Sequence, residues 1–125
     1  MCQEAELEFR ADLTRPSGDV AVVTLAGEVD LSTAPKFDEA LRRGTDQGAR
    51  CVIIDFSEVT FADSTALTVL VVGGKRLRSD DRELSIVCAP GNVRRLLQIA
   101  GLARVFVVYE TLAEALAAAE TQTLA

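Results

Sequence analysis

Apolar residues recur along the chain in two rhythms, every second position and every third or fourth, and the two rhythms alternate. "LEFRADL" puts Leu7, Phe9, Ala11 and Leu13 on one side, the period of a half-buried strand, and "PSGD" after it is a turn. "VAVVTLA" reads as a second strand, the antiparallel partner across that turn, and it runs into "GEVD", Gly27 to Asp30. Phe37, Ala40 and Leu41 mark a helix with Pro35 in its first turn and with Gly44 and Gly48 bracketing its end. "CVIIDF" is a continuous apolar run of the kind a parallel sheet buries on both faces, and "SEVTFADS" comes after it as a loop. Leu67, Leu70, Val71 and Leu77 restore the helical spacing. Gly73 and Gly74 each weaken that helix by roughly 1 kcal/mol relative to Ala, which close packing against a neighbour would explain. "ELSIVC" is a strand, and "APGNVRRLLQIAG" a helix with Pro90 near its start, Val93, Leu96, Leu97 and Ala100 on its apolar face, and Gly101 as its stop. "VFVVY" is the last strand, and "TLAEALAAAE" a last helix opened by the Thr111-to-Glu114 capping box.

The order β-β-α-β-α-β-α-β-α predicts an α/β fold. Helices between strands impose crossovers, so the sheet is mixed and mostly parallel, with about five strands, four helices and an antiparallel first strand. A chain of 125 residues is the size of one domain. That domain is expected over residues 7–120, with residues 1–6 and 121–125 as flexible ends.

Composition narrows the chemistry. The net charge of −6 opposes direct nucleic-acid binding, which depends on Lys and Arg neutralising phosphates. The longest apolar runs, such as "LTVLVV", are far below the roughly 20 residues that span a bilayer, and the acidic start is unlike a signal peptide. A cytoplasmic protein with no membrane partner is expected. Cys51 and Cys88 lie in strand runs at no metal-ligand spacing, so they read as reduced core thiols, and Cys2 lies in the leading tail. No metal and no cofactor are expected. The chain has no histidine, which removes the usual general base of serine and cysteine hydrolases.

In parallel sheets, partners and ligands meet the loops at the carboxyl ends of the strands. Glu28, Asp30, Asp63 and Ser64 should gather there, an acidic rim around a hydroxyl at a helix start. Simpler roles exist for each. Asp63 or Ser64 caps the helix, leaving the other free. Gly27 suits a turn with positive φ, and Glu28 and Asp30 suit solvated loop acids, with Asp30 bonding the backbone just after it. Glycoside hydrolysis lacks a carbohydrate platform, since the chain has no Trp and a single Tyr. "GGKRL" misses the phosphate-loop spacing, with Arg76 where Ser or Thr is needed. "VRRLL" reads as a solvated basic edge.

Three stretches in order, "GEVD", "VIIDFSEVTFADSTAL" and "APGNVRRLLQIAGLARVF", resemble the bacterial anti-sigma factor antagonists, which consist of one STAS domain. The resemblance runs from Leu7 to about Glu120. It implies a switch protein that binds an anti-sigma factor with serine kinase activity and so releases a sigma factor. The kinase then phosphorylates the antagonist, and a serine phosphatase restores it. The modified hydroxyl of the family maps onto Ser64, with Thr65 as a second acceptor. Asp63 matches the preceding acid and Asp30 the aspartate of the first βα loop; Glu28, Asp30, Asp63, Ser64, Thr65 and Ala66 form the expected partner surface. Ala66 and Thr68 depart from the pattern, where relatives commonly carry glycine. Were the backbone at position 66 to approach the kinase's nucleotide pocket closely, the added methyl would slow phosphorylation or narrow partner choice. A STAS module in a larger signalling assembly, or one that senses a ligand, is the alternative. An enzyme with Ser64 as nucleophile lacks a G-x-S-x-G elbow as well as a histidine.

Overall fold

A computed structural model describes residues 9–124. The elements run β1 (Arg10–Ser17), β2 (Val20–Val29), α1 (Ala34–Asp46), β3 (Cys51–Ala62), α2 (Ser64–Ser79), β4 (Glu83–Val87), α3 (Asn92–Ile99), α4 (Leu102–Val105), β5 (Val107–Tyr109) and α5 (Leu112–Leu124). They form one five-stranded sheet of order β1-β2-β3-β4-β5, with β1 antiparallel to β2 and every other pair parallel. Leu7 and Cys2 lie outside the described residues.

The pleat divides each central strand between two cores. Ala21, Val23 and Leu25 of β2 and Val52, Ile54 and Phe56 of β3 pack with Phe37 and Leu41 of α1 and with Leu70 and Leu77 of α2. Val20, Val22, Cys51 and Ile53 point the other way, against Ala115 and Ala119 of α5. This two-sided burial is why "CVII" shows no alternation. Phe37 and Phe56 meet edge to face at 6.2 Å, tying α1 to the sheet. Cys51 and Cys88 are buried free thiols, and burial pushes both up from the usual thiol range.

Gly73 and Gly74 have the packing role expected of them. A Cβ on Gly73 would run into Leu41 of α1, and one on Gly74 would lie 2.5 Å from two carbons of the Phe106 ring. The Thr111 box is present, Glu114 N donating to Thr111 Oγ1 at 3.2 Å and Thr111 N to Glu114 Oε1 at 3.3 Å.

Three readings of the sequence change and one holds. β3 does not end at Phe56 but continues through Ala62, so "SEVTFA" is strand rather than loop. Gly44 and Gly48 do bracket the end of α1 at Asp46, with Gly48 at φ +83 just beyond it. A single-turn α4 separates α3 from β5, which shortens "VFVVY" to its last three residues. Arg94 is not a solvated edge: it is half-buried, and its Nη1 donates to the Cys88 carbonyl at 2.9 Å, pinning α3 to the end of β4.

Candidate functional site at the ends of β2 and β3

β4 pairs with β3 only over Cys51–Asp55 and β1 with β2 only as far as Ala26, so from Gly27 onward β2 and β3 continue as a two-stranded ribbon. β3 carries two bulges relative to β2. The register moves from Thr24↔Asp55 to Ala26↔Glu58, and from Gly27↔Val59 to Glu28↔Phe61. Bulges bend a strand and re-aim the residues beyond them. Here Gly27, at φ +89, adopts its positive φ inside β2 at the second bulge, not in a turn. The ribbon closes with Val29 opposite Ala62, and Asp63 N donates to the Val29 carbonyl at 3.2 Å. Asp30 and Asp63 therefore come directly after paired neighbours on strands about 4.8 Å apart. The four residues expected to gather, Glu28, Asp30, Asp63 and Ser64, do share one end of the sheet.

At Asp30 the chain is tied into a compact turn. Its Oδ1 accepts from Ser32 N at 3.0 Å, Ser32 Oγ at 2.8 Å and Thr33 N at 3.2 Å. Thr33 Oγ1 accepts from Asp30 N at 2.9 Å and donates to the Glu28 carbonyl at 2.9 Å. The Ser32 hydroxyl, with the backbone N–H groups, holds the Asp30 carboxyl below the usual carboxylate range against the opposing effect of desolvation. Ser32 and Thr33 were not singled out from sequence. The signal was there: an Asp with two hydroxyl residues close behind it before a helix is the composition of an Asx turn.

At the start of α2 the duplication of polar groups resolves into separate jobs. Asp63 is the N-cap: its Oδ1 accepts from Thr65 N at 2.9 Å and also from the Thr65 hydroxyl. Thr65 is half-buried with its hydroxyl engaged, whereas Ser64 is exposed and its hydroxyl makes no hydrogen bond among the described residues. Beyond the Asp63 cap the first turn of α2 has no acidic side chain, and its last turn carries Arg76 and Arg78, so the macrodipole is complemented by the cap at the near end and by the two arginines at the far one. Ala66 is fully buried, its methyl inside the core that Leu70 also enters. At 0% exposure neither its side chain nor its backbone faces a partner, so Ala66 drops out of the expected contact surface and the departure from glycine adds no bulk on the outer face. Thr68 is exposed, one turn on from Ser64, with its hydroxyl donating to the Ser64 carbonyl at 3.1 Å.

No group of three or more Cys, Asp or Glu among the described residues could hold a metal ion. Nor is any helix among them long and apolar enough to cross a membrane. The arrangement is a presented hydroxyl on a capped helix, at the end of the sheet that also holds the hydrogen-bonded carboxylates of Asp30 and Asp63.

Residues 12–115 match the STAS domain family. The chain belongs to that family. An anti-sigma-B factor antagonist of Staphylococcus aureus is 34% identical over 80 residues, which are 64% of this chain and 74% of the relative. The crystal structure of an anti-sigma factor antagonist from Mycobacterium paratuberculosis superposes with a TM-score of 0.84 at 28% identity, covering 90% of this chain and 95% of that one. The phosphorylated form of the Bacillus cell fate determinant SpoIIAA shares the fold, with a TM-score of 0.68 at 19% identity over 86% of this chain and 96% of that one. Within the STAS family the chain therefore stands with the anti-sigma factor antagonists, which are regulatory binding proteins rather than enzymes.

Proposed function

We propose that this chain, with Ser64 unmodified, binds an anti-sigma factor that carries serine kinase activity, and that phosphorylation of Ser64 ends the complex until a serine phosphatase reverses it. The observation that carries the reading is the contrast at the start of α2. Asp63 occupies the cap and the Thr65 hydroxyl, while the Ser64 hydroxyl is exposed and unbonded among the described residues.

The same geometry supplies a physical basis for switching. Phosphorylation adds about −1.5 to −2 charges at pH 7. The free protein can bear it, because a helix N-terminus stabilises an anion through its dipole and unpaired N–H groups. That SpoIIAA exists in a phosphorylated form supports this tolerance for the fold. In a complex the added charge is set beside Asp30 and Asp63, against a surface shaped for a neutral hydroxyl, where a like-charge contact costs several kcal/mol. Binding is lost while the fold is kept. The cytoplasm, where sigma factors act, is the compartment this function requires.

Calorimetric titration of the anti-sigma factor with ADP tests the switch. Ser64→Ala should bind within about twofold of the natural chain, and Ser64→Glu about 10- to 100-fold more weakly. Equal affinity for Ser64→Glu would refute it.

A further inference from the structure

Beside Ser64, α1 and α2 leave a shallow apolar groove between them, lined by Leu31, Ala34, Pro35, Thr68, Val69 and Val72. Two of the six exposed large apolar side chains among the described residues are here, Leu31 at 76% and Val72 at 46% exposure. At its rim the charges cancel, since Arg42 Nε bonds Asp38 Oδ2 at 2.8 Å. The carboxylates of Asp30 and Asp63 lie at the same end of the sheet, and Thr68 in the groove lining is one turn along α2 from Ser64.

We infer that this groove is the second half of the kinase's docking surface, where an apolar ridge of the anti-sigma factor seats. The inference rests on Ser64 being that kinase's substrate. To phosphorylate Ser64, the kinase must place its nucleotide directly over the first turn of α2. A stable complex covers about 800 Å² on each partner, equivalent to a disc of about 16 Å radius. Thr68 and Val72 succeed Ser64 at intervals of four, on one stripe of α2, and Val72 is about 12 Å along the axis. A footprint centred on Ser64 therefore includes the groove. An apolar floor continuous with the reacting residue and free of net charge would anchor the enzyme in a way that Ser64 chemistry does not alter. It holds substrate and transition state alike, so its loss should raise KM and spare kcat.

The test uses the serine-kinase anti-sigma factor from the same genome that phosphorylates this chain with ATP. Initial rates are measured on the natural chain and on Leu31→Asp, Val72→Asp and Val105→Asp, with circular dichroism confirming that each is folded. Val105 is a comparably exposed control at 53%, next to the amino end of β5 and so at the opposite end of the sheet from Ser64. Leu31→Asp and Val72→Asp should each raise KM about tenfold or more with kcat within about twofold, and Val105→Asp should change neither. If the natural chain is phosphorylated at Ser64 but both groove variants keep the natural KM, the groove is not a docking surface and the proposed function stands. If no such kinase modifies Ser64 in the natural chain, both readings fall together.

Discussion

Replacing Gly74 by Ala measures how tightly α2, the helix that presents Ser64, is held. In an open helix interior the change would stabilise by roughly 1 kcal/mol through backbone entropy and propensity. Here the new Cβ would lie 2.5 Å from Cε1 and from Cζ of Phe106. Ordinary carbon contacts are about 3.5–4.0 Å, so the ring would have to retreat by roughly 1 Å or more. Phe106 is 6% exposed and packed in the main core, so it has little room to do so. Overpacking of this kind costs about 1–3 kcal/mol, and a clash this close belongs near the upper end. The expected net effect is destabilisation by about 1–2 kcal/mol, or a Tm lower by about 3–8 °C for a domain of this size. Gly44 is the control, because the one tight contact of its Cβ would be the far end of the half-buried Leu13 side chain at 3.3 Å, with Ala21 and Val52 at ordinary distances of 3.6 and 3.9 Å. Gly44→Ala should therefore stabilise by about 0.5–1 kcal/mol. Urea unfolding of both variants reads the difference, and Phe106→Leu combined with Gly74→Ala should recover part of the loss. If Gly74→Ala stabilised as much as Gly44→Ala, α2 would not be pinned where the structure has it.

Further expectations concern the site itself. Asp63→Ala should cost about 1 kcal/mol in urea unfolding through loss of the cap, with Asp63→Asn recovering most of it; by releasing the Thr65 hydroxyl it should also let phosphate appear at Thr65 in peptide mapping. Asp30 titrates below its ordinary value of 3.8 in the folded protein, chiefly through the Ser32 hydroxyl. Its contribution is present above that value and lost as pH falls through the lowered pKa, so Asp30→Ala should flatten the acid limb of the stability profile and leave the slope near pH 7 unchanged. Cys51 and Cys88 are buried with thiols pushed up, so iodoacetamide at pH 8 should leave both unmodified in the native protein and label both in urea, as read by mass spectrometry.

Much of this architecture is legible in the hydrophobic pattern, because its central strands are buried on both faces and its helices amphipathic. Val52 and Ile54 face one core and Ile53 the other, which leaves the unbroken apolar run that marks a parallel strand. The Thr111 box declares itself because both partners of a capping box are local in sequence. The far half of β3 is less legible, since Ser57, Glu58, Thr60 and Phe61 are exposed on a ribbon that pairs only with β2, and exposure removes the apolar signal. Only the β-branched and aromatic run Val59, Thr60, Phe61 hinted at it.

The site divides in the same way. That Asp63 could cap and Ser64 remain free can be read from the residue types, but which of Ser64 and Thr65 has the engaged hydroxyl depends on side-chain geometry that spacing does not encode. The burial of Ala66 is a matter of helix phase: it lies four residues before Leu70, on the stripe that enters the core. Thr68 falls on the outer face. Of the two departures from glycine, it is Thr68, in the groove, that a partner can meet. Leu31 is not legible from the pattern, because a single apolar residue in a loop has no period to mark it.

The measurement that bears most directly on the switch is the site of phosphate transfer. The natural chain is incubated with the anti-sigma factor kinase and ATP, and the product is mapped by tandem mass spectrometry beside Ser64→Ala. One phosphate on Ser64, and none on the variant, is the result the free hydroxyl at the start of α2 predicts. Phosphate on Thr65 or Ser32 of the natural chain with Ser64 left bare would contradict it.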